Sequence, residues 1–233
     1  MLAFNFTTIG ASHIKKGVVC QDFSVSGQTD NYSFAAVSDG HGGEDYFRSD
    51  RGSRFAAEAF CECLQEAFEN GLPQALTDHR TERQLDKQLD WFMQSIVARW
   101  NFKVDENITA EPFTEAELEG VSDRARARYE KGEKQQSAYG ATLIGIVVTK
   151  SFWFGVHIGD GKCIAFDREG SPSEPIPWDE QCFLNVTTSI CDSNALAEFR
   201  HFFSREIPAA ASSAPTASMT ALPAVSRFTI SIG

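Results

Sequence analysis

The change of hydrophobic period along the chain is the feature that most limits its fold. Short runs in which apolar and polar residues alternate predict three β-strands in the first forty residues, at 4–9, 22–25 and 32–37. Apolar residues then recur every three to four positions over 53–70 and again over 82–100. This spacing predicts two amphipathic helices, which we expect to pack as an antiparallel pair.

Strand patterns return after residue 140. Runs at 141–149, 152–158 and 163–166, joined by short turns, predict an antiparallel meander. Strands, then a helix pair, then strands again is an α+β order, in which helices cover the outer faces of sheets instead of alternating with single strands. The predicted fold class is therefore α+β.

Two stretches fall outside this pattern. The polar segment 101–136 predicts a surface excursion, in which Thr114 and Glu117 form a capping box that starts a short helix. Residues 208–233 are rich in Ala, Ser, Thr and Pro and predict a low-complexity tail. We therefore expect one domain over residues 1–207, followed by this tail.

The charge balance limits the classes of partner. Of the 233 residues, 21 are Lys or Arg and 32 are Asp or Glu, which gives a formal net charge of −11. Such a chain repels a phosphate backbone, so we expect no nucleic-acid partner. We also expect no membrane partner and a cytoplasmic location, because the sequence has neither a signal-peptide pattern nor a stretch suited to span a bilayer.

A glycine-rich segment carries the strongest chemical signal. Residues 38–43 read Ser-Asp-Gly-His-Gly-Gly and directly follow a predicted strand. Asp39 at the strand end, with glycines that let backbone carbonyls and a ligand approach, predicts a corner for a hard metal ion, and His41 beside it can move a proton. A glycine-rich turn with a solvated Asp and His has the same pattern, so this segment alone leaves both interpretations open.

A second acid comes from the preceding strand. Asp22 begins that strand, and two antiparallel neighbours would bring Asp22 and Asp39 to one edge of a sheet, as a pair of divalent cations requires. Two further motifs follow much later, Gly-Ala-Thr-Leu at 140–143 and Gly-Asp-Gly at 159–161. Each motif is weak by itself, but their order and spacing together are specific.

With these pieces in this order, the chain resembles the metal-dependent PPM or PP2C-type serine/threonine phosphatases, especially the bacterial form. The resemblance covers roughly residues 6–170, and its matching segments are 10–22, 37–43, 52–57, 140–143 and 158–162. It implies the fold of that family, a four-layer α-β-β-α sandwich with two antiparallel sheets flanked by helix pairs.

The resemblance also implies a site and its chemistry. Asp22, Asp39 and the Gly40 carbonyl would be ligands of two Mn²⁺ or Mg²⁺ ions, and His41 corresponds to the general acid of the family. Such ions activate a water for in-line attack, so phosphoserine or phosphothreonine is hydrolysed without a phosphoenzyme. The implied partners are a phosphoprotein substrate and a serine/threonine kinase.

Among the departures from the family pattern, two bear most directly on activity. The family usually has an arginine five residues before the position of Asp22 to hold the substrate phosphate, where this chain has Gly17; Lys15 and Lys16 are the nearby cations, and Lys16 is the candidate phosphate-binding residue. The late metal-ligand aspartates of the family have no counterpart, because no aspartate follows Asp192. The alternative function is therefore a catalytically weak or inactive phosphatase-like module that binds or regulates.

Overall fold

The computed structural model of the chain describes residues 2–10, 14–15, 17, 19–179, 182, 187–214 and 227–231. Within these residues the strands are β1 (Leu2–Phe6), β2 (Asp22–Gln28), β3 (Ser33–Asp39), β4 (Leu143–Val148), β5 (Trp153–Ile158), β6 (Lys162–Phe166), β7 (Pro172–Ser173), β8 (Arg200–Ser204), β9 (Ala210–Ala214) and β10 (Arg227–Ser231). The α-helices are α1 (Ser49–Glu69), α2 (Leu72–Asp78), α3 (Glu82–Ala110), α4 (Glu115–Leu118), α5 (Asp123–Tyr129) and α6 (Ala195–Glu198).

The strands form two antiparallel sheets. The first sheet has the order β1-β10-β9-β6-β7, and the second has the order β2-β3-β4-β5-β8. In the second sheet the register of β2 on β3 sets Asp22 opposite Asp39. The predicted α+β class with two antiparallel sheets is confirmed.

Helices α1 and α3 pack against each other on the second sheet. Arg99 pairs with Glu62 and Glu66, whereas Lys103, one turn later, pairs with Glu58 and Glu62. Because the partners move backward along α1 as α3 advances, the two helices run antiparallel, as predicted. No helix among the described residues is long and apolar enough to cross a bilayer.

Two hydrophobic cores hold the layers together. The largest buried side chains between the helices and the second sheet are Phe60, Leu64, Leu76, Leu89, Ile96, Trp100, Tyr139, Leu143 and Phe154. The core between the two sheets contains Ala35, Val37, Ile144, Ile146, Val148, Trp153, Cys163, Ala165, Ile176 and Ala211. Each large apolar side chain buried here stabilises the fold by about 1.5–3 kcal/mol.

The described residues supply three of the four predicted layers: helices, second sheet and first sheet. The helices contribute to the core on the second sheet, and the inter-sheet core lies on its other side. On the first sheet, Leu2, Phe4 and Phe6 alternate along β1 and are exposed. A helix pair outside the first sheet is not found among the described residues.

The structure differs from the predicted meander at its third strand. β4 and β5 pair as expected, but β6 pairs with β7 and β9 in the first sheet. The turn between β5 and β6 contains Gly159 at φ 114°, a conformation that side chains disfavour, and this turn takes the chain from one sheet to the other. The prediction of a continuous meander is therefore wrong beyond β5.

Regular structure also continues into the segment expected to be a tail. Ala210–Ala214 pairs with β6 and with Arg227–Ser231, which in turn pairs with β1. Ala211 and Ser213 are buried, since their small side chains fit where the first sheet faces the second. The structure differs from the tail expectation at these two strands, because low-complexity composition does not exclude a strand of small residues.

The segment 101–136 is tied to the start of α1 by a buried arginine. Thr114 and Glu117 form the predicted capping box at the N-terminus of α4. Arg48, only 3% exposed, donates to the two carboxylate oxygens of Glu117 at 2.7 and 3.1 Å. It also donates to the hydroxyl of Tyr139 and to the carbonyl of Glu111, each at 2.7 Å. The excursion predicted from the sequence is thus anchored to the helix layer.

Candidate active site

Two carboxyl groups meet at one edge of the second sheet. Asp22 begins β2 and Asp39 ends β3, and their side chains lie within hydrogen-bonding contact. Burial raises the pKa of Asp39 well above its ordinary value, and the charge of Asp22 raises it further. Because two adjacent carboxylates resist ionising together, this pair is suited to a cation that neutralises both charges.

Gly40 continues the chain through a gap that admits no side chain. A Cβ at this position would lie 2.5 Å from the carbonyl oxygen of Ser49 and 2.6 Å from that of Gln21. The Gly40 amide donates to the same Gln21 oxygen at 3.1 Å. The absence of a side chain therefore lets the loop after Asp39 lie directly against the start of α1.

The first turns of α1 hold this loop through a small polar network. Gln21 Nε2 donates to Ser49 Oγ at 2.7 Å and to the His41 carbonyl at 3.1 Å. Ser49 Oγ donates to the same carbonyl at 2.9 Å, and Ser53 Oγ donates to the Gln21 carbonyl. These bonds explain why the motif that opens α1 accompanies the two acid motifs in the sequence.

The motif at 140–143 reaches Asp39 through Thr142. The Asp39 amide donates to Thr142 Oγ1 at 3.0 Å, and the Thr142 amide donates to the Asp39 carbonyl at 2.9 Å. Ser38 Oγ donates to the Thr142 carbonyl. The backbone of the second acid is therefore fixed from both sides, by β2 and by the segment that leads into β4.

His41 stands beside the carboxyl pair. Its ring packs edge-on against Tyr46, with 5.0 Å between centroids, and its amide donates to the Gly140 carbonyl at 3.0 Å. Burial lowers the pKa of the imidazole, while the carboxylates of Asp192 and Asp160 act in the opposite direction. The ring is thus oriented by aromatic contact and lies in the field of two acids.

A cavity of about 260 Å³ joins these groups. Asp22, Asp39, Gly40 and His41 all line it, as does Asp160. The structure therefore brings four of the sequence-predicted site residues to one cavity.

Two acids near the cavity were not among the predicted site residues. Asp160 follows β5, and because β3 and β5 both pair antiparallel with β4, their C-terminal ends reach the same edge. The Gly-Asp-Gly motif was the available signal for this residue. Asp192 comes from a loop far along the chain, and nothing in its sequence context marks it.

The donor set is one of hard oxygen atoms. Among the described residues, no three side chains of the His, Cys, Asp and Glu types come together as a metal cluster. Two carboxylates with a backbone carbonyl nevertheless suit Mg²⁺ or Mn²⁺, because Mg²⁺ usually binds through one or two carboxylates and keeps several waters. The residues present therefore fit a hydrated divalent ion.

Lys16, the predicted phosphate-binding residue, lies outside the described residues. Gly17, which stands where the family usually has an arginine, is in the left-handed region at φ 66°. A glycine tolerates this conformation without strain.

Comparison with sequence families decides the classification. A family model described as protein phosphatase 2C matches residues 9–211. The chain belongs to the protein phosphatase 2C family. The match includes Asp22, Asp39, Gly40 and His41, the four residues that the structure gathers around one cavity.

Solved structures of serine and serine/threonine phosphatases have a similar fold. A bacterial serine phosphatase aligns with a TM-score of 0.59 at 12% identity, over 100% of this chain and 98% of its own. Serine/threonine phosphatase Stp1 from Staphylococcus aureus gives 0.57 at 12% identity, over 99% and 94%. Serine-threonine phosphatase 2C from Toxoplasma gondii gives 0.58 at 12% identity, also over 99% and 94%. No curated protein sequence matches the chain.

Proposed function

We propose that this protein phosphatase 2C chain is a metal-dependent protein serine/threonine phosphatase. The observation that carries the proposal is the contact between the Asp22 and Asp39 carboxyl groups in a cavity that His41 also lines. Two ionised carboxyl groups in contact repel each other, which destabilises a site that binds nothing. A bound cation would neutralise both charges and remove that repulsion.

Asp22, Asp39 and the Gly40 carbonyl are the proposed ligands of two Mn²⁺ or Mg²⁺ ions. Ions bound there would supply Lewis-acid chemistry, which polarises a phosphoryl group and makes a water acidic enough to attack it. The protein contributes position: strand pairing sets the two acids opposite each other, and Thr142 fixes the backbone of Asp39. Lys16 keeps its proposed role in binding the substrate phosphate.

His41 is the proposed proton donor to the oxygen that leaves with serine or threonine. General acid catalysis requires an imidazole within reach of that oxygen, at the rim of the same cavity. The contact with Tyr46 and the backbone bond to Gly140 hold the ring there. The substrate is a phosphoprotein, and a serine/threonine kinase that modifies it is the corresponding partner.

The test is phosphate release from a phosphothreonine peptide by the full chain, with added Mn²⁺ and with EDTA. We expect release that depends on Mn²⁺ and falls at least about 100-fold in Asp39→Asn, because one of two acidic ligands is lost. The control is Asp30→Asn, an exposed acid in the turn between β2 and β3, at the other end of these strands. Release without Mn²⁺, or equal release by wild type and Asp39→Asn, would refute the proposal.

A further inference from the structure

A second polar cavity, of about 650 Å³, lies close to the candidate active site. Arg128, Lys134, Gln136 and Asn101 line one part of it, and Asp192 lines another. The charge of Asp192 also acts on His41, which lines the candidate active site. Nothing in the proposed mechanism uses this second cavity.

Arg128 is the residue that makes this cavity unusual. Its Nε atom is buried and has no hydrogen-bond partner, and the described residues offer its guanidinium no ion pair. A buried guanidinium nitrogen without an acceptor is unfavourable by about 1–3 kcal/mol. An acceptor on a bound ligand would relieve this cost at the guanidinium group.

Other arginines with limited exposure in the described residues are paired. Arg48 bonds Glu117 and Arg99 bonds two glutamates. Arg200 lies 3.4 Å from Asp179, although its Nε, like that of Arg128, is buried without a hydrogen-bond partner. The chain has 32 acidic residues against 21 Lys and Arg, so carboxylates are not scarce. Arg128 therefore differs from these arginines in lining a cavity without an ion pair among the described residues.

Lys134 adds a second cation on the same cavity. Its backbone is in the left-handed region at φ 52°, and it has no ion pair among the described residues. The Asn101 side chain also lines the cavity, whereas the Gln136 amide there donates to Asp105 at 2.9 Å. The residues that line the cavity include two cations and one carboxylate, Asp192, which is in contact with Glu198.

A short series of backbone contacts connects the second cavity to the reaction centre. The amide of Ile190, which lines the second cavity, donates to the Ala141 carbonyl at 3.0 Å, and Ala141 forms a β-bridge with Gly40, which lines the candidate active site. A peptide whose phosphorylated residue lies at the Asp22–Asp39 cavity would therefore pass close to Arg128 within a few residues.

We propose that Arg128 and Lys134 bind an oxyanion of the substrate, carried by a residue close to the phosphorylated serine or threonine. The inference rests on the proposed function and narrows its substrate class to phosphopeptides with a neighbouring acidic group. A guanidinium fork matches the planar carboxylate and the phosphate oxyanion equally well. The anion is either an acidic side chain or a second phosphoryl group.

Binding is measured by calorimetry on the full chain in EDTA, so that no turnover takes place. The first probe is inorganic phosphate at constant ionic strength. We expect Arg128→Gln to weaken its binding about tenfold, since a charge-assisted contact is lost. The control is Arg124→Gln, one turn earlier on α5, exposed and without an ion pair in the described structure. Equal phosphate affinity in the two variants would overturn the proposal.

A second variant protects the test against misfolding. Lys134→Gln changes an exposed loop residue and is expected to weaken phosphate binding about threefold, in line with a single lysine charge. If Arg128→Gln does not fold and Lys134→Gln binds phosphate as tightly as the wild type, the proposal is also overturned.

Peptides separate the two sources of the anion. The probes carry phosphothreonine with glutamate, phosphoserine or alanine placed two, three or four residues away. Tighter binding of the glutamate peptide than of the alanine peptide assigns the site to acidic side chains, and a gain confined to phosphoserine assigns it to a second phosphoryl group. No gain with either residue overturns the proposal. Because binding is read without metal or turnover, a chain that fails to release phosphate but retains Arg128-dependent binding would refute the proposed function alone.

Discussion

At the scale of single residues, the ion pair of Arg48 and Glu117 connects the start of α1 to α4. Burial alone would raise the pKa of Glu117, but hydrogen bonds from Arg48 and Thr114 outweigh it and lower the pKa from 4.5 to about 2. A carboxyl group with a lowered pKa stabilises the fold above its ordinary pKa, and this contribution is lost as the pH falls through the folded-state value. The pair therefore stabilises most above about pH 5.5 and little at pH 2.

We expect Glu117→Gln to lower the free energy of unfolding by about 2 kcal/mol at pH 7, because Arg48 is left buried without its counter-charge. The difference in free energy of unfolding between wild type and variant should fall to roughly half by about pH 3, because Glu117 becomes protonated and loses its charge interaction with Arg48. Urea unfolding at several pH values measures it. Glu115→Gln, which removes an exposed partner of Arg126, is the control and should cost less than about 1 kcal/mol. A wild-type advantage over Glu117→Gln that is constant from pH 7 to pH 3 would contradict this account.

Residue patterns predicted the shared location of Asp22, Asp39, Gly40 and His41, because strand ends and glycines leave a local trace in the sequence. That Arg128 has no ion pair among the described residues left no such trace. Whether an arginine finds a carboxylate depends on tertiary packing, so only the structure distinguishes it from its paired neighbours.

At the scale of elements, α1 passes unusually close to the segment before β4. A Cβ at Gly52 would lie 1.8 Å from the Tyr139 carbonyl oxygen, and Trp100 Nε1 donates to the Gly52 carbonyl at 3.0 Å. Glycine inside a helix costs about 0.5–1 kcal/mol relative to alanine, so its presence is explained by the contact. This contact sets the distance between α1 and the motif that fixes Asp39.

Gly52→Ala should therefore destabilise the protein by about 1–3 kcal/mol, because the added methyl meets backbone and not a flexible side chain. Thermal unfolding in EDTA measures the effect. Gly120→Ala is the matched control, since a Cβ there has nothing within 4 Å. A melting temperature for Gly52→Ala equal to that of Gly120→Ala would show that α1 does not lie so close to residue 139.

Periodicity predicted the two long helices, and the structure extends them to Ser49–Glu69 and Glu82–Ala110. It did not predict that β6 changes sheets. Alternation reports only which side chains share a face, whereas the partner of a strand depends on the turn before it, here the one with Gly159.

At the scale of the whole molecule, the first sheet depends on strands from the end of the chain. β9 pairs with β6, and β10 lies between β9 and β1. Ala211 is fully buried in the inter-sheet core, whereas Ser212 is only partly buried and belongs to the opposite face of β9. Composition suggested a tail because Ala and Ser contribute little hydrophobicity, yet small side chains are what a close approach of two sheets admits.

Ala211→Asp is expected to destabilise the fold by about 3 kcal/mol or more, because an unpaired carboxylate would enter the inter-sheet core. Ser212→Asp, on the other face, should change stability by less than about 1 kcal/mol. Urea unfolding of the two variants compares them directly. Equal stabilities would support a tail over 208–233 and contradict the position of β9.

The most direct test of the account is calorimetric titration of the full chain with Mn²⁺ in the absence of substrate. If Asp22 and Asp39 form the metal site, wild type and Asp30→Asn should bind Mn²⁺ alike, while Asp22→Asn and Asp39→Asn should each bind at least about tenfold more weakly, since affinity for hard cations rises with the number of charged oxygens. Indistinguishable Mn²⁺ isotherms for wild type, Asp22→Asn and Asp39→Asn would contradict the account.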